Sequence, residues 1–411
     1  MRPVPEPAAT EPMLRPVSAG IVSALVAFSS SFVVVLAGLE GVGASPQQAA
    51  SGLVAVSVLM GIGSIALSLR TRLPITIAWS TPGAALLAGS GAAATGWSAA
   101  IGAFLAVGVL IMLTGLIPQL SRWISAIPHS IAQAMLAGVL MQLCLGPVQG
   151  LAKNPLAVAP VVLVWLLASR AVPRWASPLA FACAAIVVLV GLRDAAGPPA
   201  SALLPRIALE MPSFELSAIV GIALPLYLVT MASQNVPGAA VMHGLGYTVP
   251  WRGSVLATGA LTVIGAPAGG HGVNLAAISA ALAAGPEAGA DRGRRWVASL
   301  TAGIVMVGLG LCASAAAQLV VLAPAGVIPA VAGLALLGTF AASLRGALTV
   351  EGEQVPAACA FLVAASGLAI AGISAAFWSL VVGLVLHRVL RPRRATPGTL
   401  PQADRDPGPA R

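Results

Sequence analysis

Polar side chains are scarce inside the apolar stretches of this 411-residue sequence, and most of those able to do chemistry gather in three short segments. Trp79, Ser80 and Thr81 precede Pro82 and Gly83; Gln234 and Asn235 precede Pro237; Gly270, His271, Gly272 and Asn274 follow a run of small residues. Ser, Thr, Asn and Gln are uncharged donors, suited to holding a carboxylate without a full counter-charge. His271 is the ionisable member of this set: imidazole changes charge between pH 5 and 8, and an ionisable group at membrane depth is a functional candidate by default. The glycines around it let backbone approach a ligand closely. The Trp79 ring offers a face on which an aromatic ligand would gain about 0.5–1.5 kcal/mol beyond its buried area. Each residue also has a plainer role. His271 as a neutral ring can bond a backbone carbonyl, Gln234 and Asn235 can join helices, Ser80, Thr81 and Asn274 can cap helix starts, and Trp79 can simply pack. Glu40 is a second proton-coupling candidate beside His271, with a solvated position at the end of a span as its alternative.

No HExxH, no paired intramembrane aspartates and no Ser/His/Asp constellation is visible, so an enzyme is not expected. Cys144, Cys183, Cys312 and Cys359 lack CxxC spacing and read as small packing residues, so neither a metal nor a cofactor is expected.

The elements that must position these residues are set by composition. The chain is 58% hydrophobic and 8% charged, where soluble domains run about 25% charged. A polytopic membrane protein follows, and the net charge of +9 reports topology rather than a nucleic-acid partner. At about 20 apolar residues per crossing, fourteen spans are predicted, near 17–39, 48–69, 73–90, 97–117, 127–147, 155–171, 176–192, 216–235, 252–265, 270–285, 296–316, 322–344, 355–371 and 372–390. With both termini cytoplasmic, all Lys and Arg fall inside except Lys153, Arg193 and Arg206. The first apolar segment is read as a span and not a cleaved signal, since Pro3, Pro5, Pro7, Glu6 and Glu11 precede it in place of a compact basic region.

The chain also resembles itself. SAGIVSALVAF from Ser18 matches SAIVGIALPL from Ser217, the break at 79–83 matches that at 270–274, and AIPHSIAQAMLAGVL from Ala126 matches VIPAVAGLALLGTF from Val327, each pair about 200 residues apart. Both breaks fall in the third span of a seven-span half, and an odd number inverts one half relative to the other. Broken backbone at membrane depth must be buried in protein or line a polar cavity. Two half-helices starting there would aim their positive ends at one place, and an anion is the natural guest.

The segments ITIAWSTPGAALL (75–87), LVTMASQNVPGAAVM (228–242), GAPAGGHGVNLAAISAAL (265–282) and GPEAGADRGRRW (285–296) together resemble the benzoate/proton symporters, the benzoate membrane transport proteins, over nearly the whole chain. More distantly the layout is similar to the uracil permease and sulfate/anion transporter superfamily. The resemblance implies an all-α membrane protein with fourteen transmembrane segments in a seven-plus-seven inverted repeat and short strands in segments 3 and 10. It implies a core domain at 17–122 and 216–317 and a gate domain at 123–195 and 318–390. A cytoplasmic tail at 1–16, a periplasmic connection at 196–215 and a disordered cytoplasmic tail at 391–411 complete the division. Gln234 and His271 stand where nucleobase carriers have carboxylates, and losing that charge fits an anionic substrate and argues against uracil or xanthine. The expected function is proton-coupled import of benzoate or a related aromatic carboxylate across a bacterial inner membrane, with protons, the lipid bilayer and a second copy of the chain as candidate partners. Another anion such as sulfate, a nucleobase, or an anion channel is the alternative.

Overall fold

A helix that is apolar on every face is stable only in a bilayer or a large core, and most helices here have that character. The computed structural model describes residues 13–89, 96–191, 200–368, 370 and 373–390. The tails up to residue 12 and from residue 391, and the start of the connection at 196–199, lie outside the described residues. Among the described residues seven helices are long and apolar enough to cross a membrane, and an eighth if Arg292–Leu311 and Ala313–Val321, bent by 51°, form one span. Pro155–Ala171, Gln354–Ala365 and Ala375–Leu390 are apolar but shorter. The chain is a mostly helical, multi-pass membrane protein.

In order, the first half contains α1 (Leu14–Gly41), α2 (Pro46–Thr71), β1 (Ile77–Trp79), α3 (Thr81–Ala88), α4 (Trp97–Leu116) and α5 (Pro118–Ser125). It continues through α6 (His129–Cys144), α7 (Gly146–Lys153), α8 (Pro155–Ala171) and α9 (Ala176–Gly191). After the short α10 (Ala200–Leu203) come α11 (Leu216–Ala218), α12 (Leu224–Thr230), α13 (Val236–Gly244), α14 (Trp251–Gly265), β2 (Val273–Leu275) and α15 (Ile278–Ala284). The last elements are α16 (Trp296–Leu311), α17 (Ala313–Val321), α18 (Val327–Leu348), α19 (Gln354–Ala365) and α20 (Ala375–Leu390).

Two groups of helices pack most extensively within themselves. In one, α2 lies on α16, α4 on α14, and α1 on both α16 and α3; in the other, α6 lies on α18 and α19, α19 on α20, and α8 on α9. Glycines set the closest approaches, as expected where van der Waals packing and not water drives association. A Cβ on Gly61 of α2 would lie 2.7 Å from the carbonyl oxygen of Gly303 on α16, and the reverse holds. Gly108 of α4 and Gly259 of α14 meet in the same reciprocal way.

The breaks form where sequence predicts them, and their details differ. Pro74 and the β-branched Ile75, Thr76 and Ile77 favour extended chain, which becomes β1. β1 pairs antiparallel with β2 in the register Ile77↔Leu275, Ala78↔Asn274, Trp79↔Val273. The second half-helix starts at Ile278, not at Asn274, because β2 must run to Leu275 to meet Ile77. Asn274 is therefore a strand residue, and the expectation that it caps a helix is corrected. The span expected at 216–235 runs on to Gly244, with π-helical turns at Ile219–Ala223 and Met231–Asn235. Each wide turn ends two residues before a proline, Pro225 or Pro237, and absorbs the hydrogen bond that the ring removes. The helix expected at 355–371 stops at Ala365, ahead of Gly367 in a left-handed conformation (φ 64°), and the one expected from 322 starts at Val327 after Gly326 (φ 89°).

A buried strand ribbon at the candidate anion site

A two-stranded ribbon has two free edges, which hydrocarbon would leave unsatisfied. Here three outward N–H groups bond to side chains from neighbouring helices. Ile77 N–H donates to Ser64 Oγ of α2 (2.9 Å), Val273 N–H to Thr262 Oγ1 of α14 (3.0 Å), and Leu275 N–H to Asn235 Oδ1 of the second π-helical turn (2.9 Å). The ladder extends past both strand ends, through Ser80 N–H to Gly272 O (3.1 Å) and Ala276 N–H to Thr76 O (2.9 Å).

α3 leaves the ribbon at Ser80, whose Oγ caps it by accepting from Gly83 N–H (3.1 Å) and also accepts from Thr230 Oγ1 (2.8 Å). Thr81 is the first helical residue and half-buried. His271 is fully buried, and its Nε2 lies 3.1 Å from the Ser80 carbonyl oxygen. A carbonyl only accepts, so Nε2 carries the proton, and Nδ1 is left without a partner among the described residues. The Phe104 ring meets His271 edge-on at 6.5 Å. Asn274 is also fully buried, and among the described residues neither its Nδ2 nor its Oδ1 finds a partner.

Alternation along the strands places Asn274 and Ala78 on one face of the ribbon and Trp79 and Val273 on the other. Trp79 packs edge-on against Phe28 (5.8 Å) and donates from Nε1 to Ser31 Oγ (3.0 Å). Phe28 stacks on Phe32, which meets Phe181 of α9 at 4.8 Å, so this aromatic cluster spans the two helix groups. Gly272 has room: a Cβ there would meet nothing nearer than Ser80 Cβ at 3.8 Å. Gly270 does not, since its Cβ would lie 3.0 Å from the Gly265 backbone.

The structure thus gathers Trp79, Ser80, Thr81, Gly270, His271, Gly272, Asn274 and Asn235 around one ribbon. Asn235 braces the strand through its carbonyl, and its amide nitrogen points to Met231 Sδ (3.1 Å). Gln234, one residue away, is half-buried with no hydrogen bond among the described residues. Glu40 stands apart, exposed in the last turn of α1. Ser64, Thr262, Thr230 and the phenylalanines escaped sequence reading, as did Glu210. Its carboxylate accepts from Ser98 Oγ (2.7 Å) and Gln48 Nε2 (3.1 Å), while its N–H bonds Pro267 O (2.9 Å) and steadies the chain entering the His271 loop. Among the described residues no cluster of His, Cys, Asp and Glu has the makings of a metal site.

The chain is similar to known membrane proteins. The family profile described as benzoate membrane transport protein matches residues 11–389. The inner membrane protein YdcO of Escherichia coli is 38% identical over 376 residues, covering 90% of this chain and 95% of that protein. The benzoate membrane transport protein of Acinetobacter baylyi is 28% identical over 379 residues, covering 92% and 95%. In fold, the transmembrane domain of a cyanobacterial bicarbonate transporter, BicA, superposes with a TM-score of 0.59 at 14% identity, over 90% of this chain and 98% of that one.

Proposed function

The chain belongs to the benzoate membrane transport protein family and is a membrane transporter, not an enzyme; from that premise we propose that it moves benzoate or a related aromatic carboxylate with a proton, by alternating access. The observation that carries this reading is Asn274, a buried amide with no partner in the middle of an apolar ribbon. Leaving such a group unpaired costs about 1–3 kcal/mol, which a bound carboxylate offsets by accepting from Nδ2. The start of α3 lies beside it and contributes the positive end of its dipole, and α15 starts past the other end of the ribbon. In this reading the carboxylate passes the ribbon end at Gly272, where a Cβ would meet nothing nearer than Ser80 Cβ at 3.8 Å, and the benzene ring lies toward Trp79, Phe28 and Phe181, where the two helix groups meet.

Coupling follows from the His271 ring. Nε2 is committed to Ser80, so Nδ1 is an acceptor in the neutral form and a donor once protonated. A proton there supplies the carboxylate with both a donor and a counter-charge, so anion and proton bind together.

The architecture in this reading is the inverted repeat, with core helices at 17–122 and 216–317 moving against gate helices at 123–195 and 318–390, and both termini cytoplasmic. Matched contacts support it. The pair Gly61 on α2 and Gly303 on α16 has its counterpart in Gly259 on α14 and Gly108 on α4. A Gly38 Cβ would touch Ala84 O, and a Gly238 Cβ would touch Ala276 O; Ser64 holds β1 as Thr262 holds β2. Each residue lies about 200 positions from its counterpart, the period of the sequence matches.

The test is uptake of labelled benzoate into proteoliposomes under an imposed pH gradient, with sulfate and uracil as competitors. Accumulation above equilibrium that collapses with a protonophore is expected. Passive equilibration alone would indicate a channel, and stronger competition by sulfate or uracil than by unlabelled benzoate would reassign the substrate.

A further inference from the structure

The end of α4, the amphipathic α5 and the start of α14 enclose a cleft of about 680 Å³, separate from the ribbon. Arg122 and Arg252 both line it, and among the described residues neither guanidinium makes a hydrogen bond or ion pair. Both are exposed, and two guanidiniums lining one cleft give it a positive potential that attracts an anion. The same wall presents the start of α14, which has no side-chain cap, so its free N–H groups and the positive end of its dipole face the same region. Ser121 adds a hydroxyl and Trp251 an indole.

What adjoins the cleft identifies the anion's carrier. Leu116 and Ile117 are 47% and 38% exposed, and Trp123 on α5 is 71% exposed. Exposed aliphatic side chains beside Trp and Arg are the composition of a membrane interface, where acyl chains run past the apolar residues and headgroups meet the basic ones. A soluble oxyanion would use the arginines and leave that apolar rim unexplained. We propose that this cleft binds the phosphate of an anionic phospholipid, with Arg122 and Arg252 clamping the headgroup and Leu116, Ile117 and Trp123 lying along its chains. The inference stands apart from the identity of the transported anion.

The test uses the delipidated full-length chain in detergent, titrated with phosphatidylglycerol or phosphatidylcholine and read by native mass spectrometry. At the usual electrostatic contribution per basic residue, each guanidinium is worth about fivefold in affinity and the pair about thirtyfold. Phosphatidylglycerol is expected to bind the wild type about thirtyfold more tightly than Arg122→Gln/Arg252→Gln. The Lys/Lys double variant should keep most of the affinity, and Arg345→Gln, an exposed arginine on α18, all of it. If the double variant fails to fold, each single glutamine variant is expected to lose about fivefold. The proposal is overturned if the glutamine variants bind phosphatidylglycerol as the wild type does, or if phosphatidylcholine binds equally well. Displacement of the lipid by millimolar inorganic phosphate or benzoate also overturns it, because the cleft would then be a soluble-anion site.

Discussion

Gly270 and Gly272 flank His271, and replacing each by alanine separates ligand space from packing space. At Gly272 the new methyl would meet protein no nearer than 3.8 Å, ordinary van der Waals contact, so folding stability should change by no more than about 0.5 kcal/mol. That methyl stands at the ribbon end where the carboxylate is proposed to pass. Displacing the anion from one charge-assisted hydrogen bond removes about 1.5–3 kcal/mol, a loss of about 10- to 100-fold in benzoate affinity. At Gly270 the methyl would lie 3.0 Å from the Gly265 carbonyl carbon and oxygen, backbone that cannot rotate away, and overpacking of this kind costs about 1–3 kcal/mol. Thermal unfolding in detergent and benzoate binding by calorimetry, run on both variants, read the two effects. Gly272→Ala should melt with the wild type and bind poorly, while Gly270→Ala should melt earlier. A Gly272→Ala protein that binds benzoate normally, or that melts as early as Gly270→Ala, would refute the placement of the ligand.

Three further outcomes are expected. Ser64→Ala leaves the Ile77 N–H without an acceptor inside the protein and should lower stability by about 1–3 kcal/mol, whereas Ser64→Thr, which keeps the hydroxyl, should lose less; equal melting of all three proteins would remove Ser64 as the edge support. His271→Gln retains a donor for the Ser80 carbonyl but cannot gain a proton, so benzoate binding should weaken and lose its dependence on pH, and uptake should cease to respond to a pH gradient; full pH-driven uptake would exclude His271 as the coupling group. Gln234→Glu adds a negative charge to the π-helical turn that braces β2 and should weaken carboxylate binding by at least tenfold, and unchanged affinity would take Gln234 out of the site.

The breaks were legible because proline and glycine cannot continue a helix, and Ser80 was legible as a cap because it stands before Thr81-Pro82-Gly83. Asn274 misled for the same reason: asparagine favours helix starts, and nothing local says that the chain must stay extended until it has matched a strand nearly 200 residues away. Ser64 and Thr262 were invisible because each also bonds the carbonyl one turn back, Met60 and Thr258, as hydroxyls in any apolar helix do. Which of many such hydroxyls also reaches a distant strand is a property of tertiary packing. The aromatic cluster around Trp79 was hidden likewise, since Phe28, Phe32 and Phe181 read the same whether they face lipid or each other.

The ribbon makes the two halves of the chain dependent on one another. β1 takes its outward support from α2, β2 takes its own from α14, and the inward bonds of each strand come from the other. Neither half alone could satisfy its broken segment in hydrocarbon, where every unpaired N–H or C=O costs several kcal/mol. The helices that hold the strands are themselves paired across the halves, α2 with α16 and α4 with α14, through glycines that admit nothing larger. The backbone groups that end the ribbon at Ser80 and Gly272 are therefore set by both halves at once, and a ligand bound between α3 and the His271 loop touches a place where they are joined by hydrogen bonds between backbones. In the proposed alternating access, a ribbon carried by tightly packed helices would move as a body, and access to the ligand would change at the seam where α1, β1 and α9 meet through Phe28, Phe32, Trp79 and Phe181, rather than within the ribbon itself.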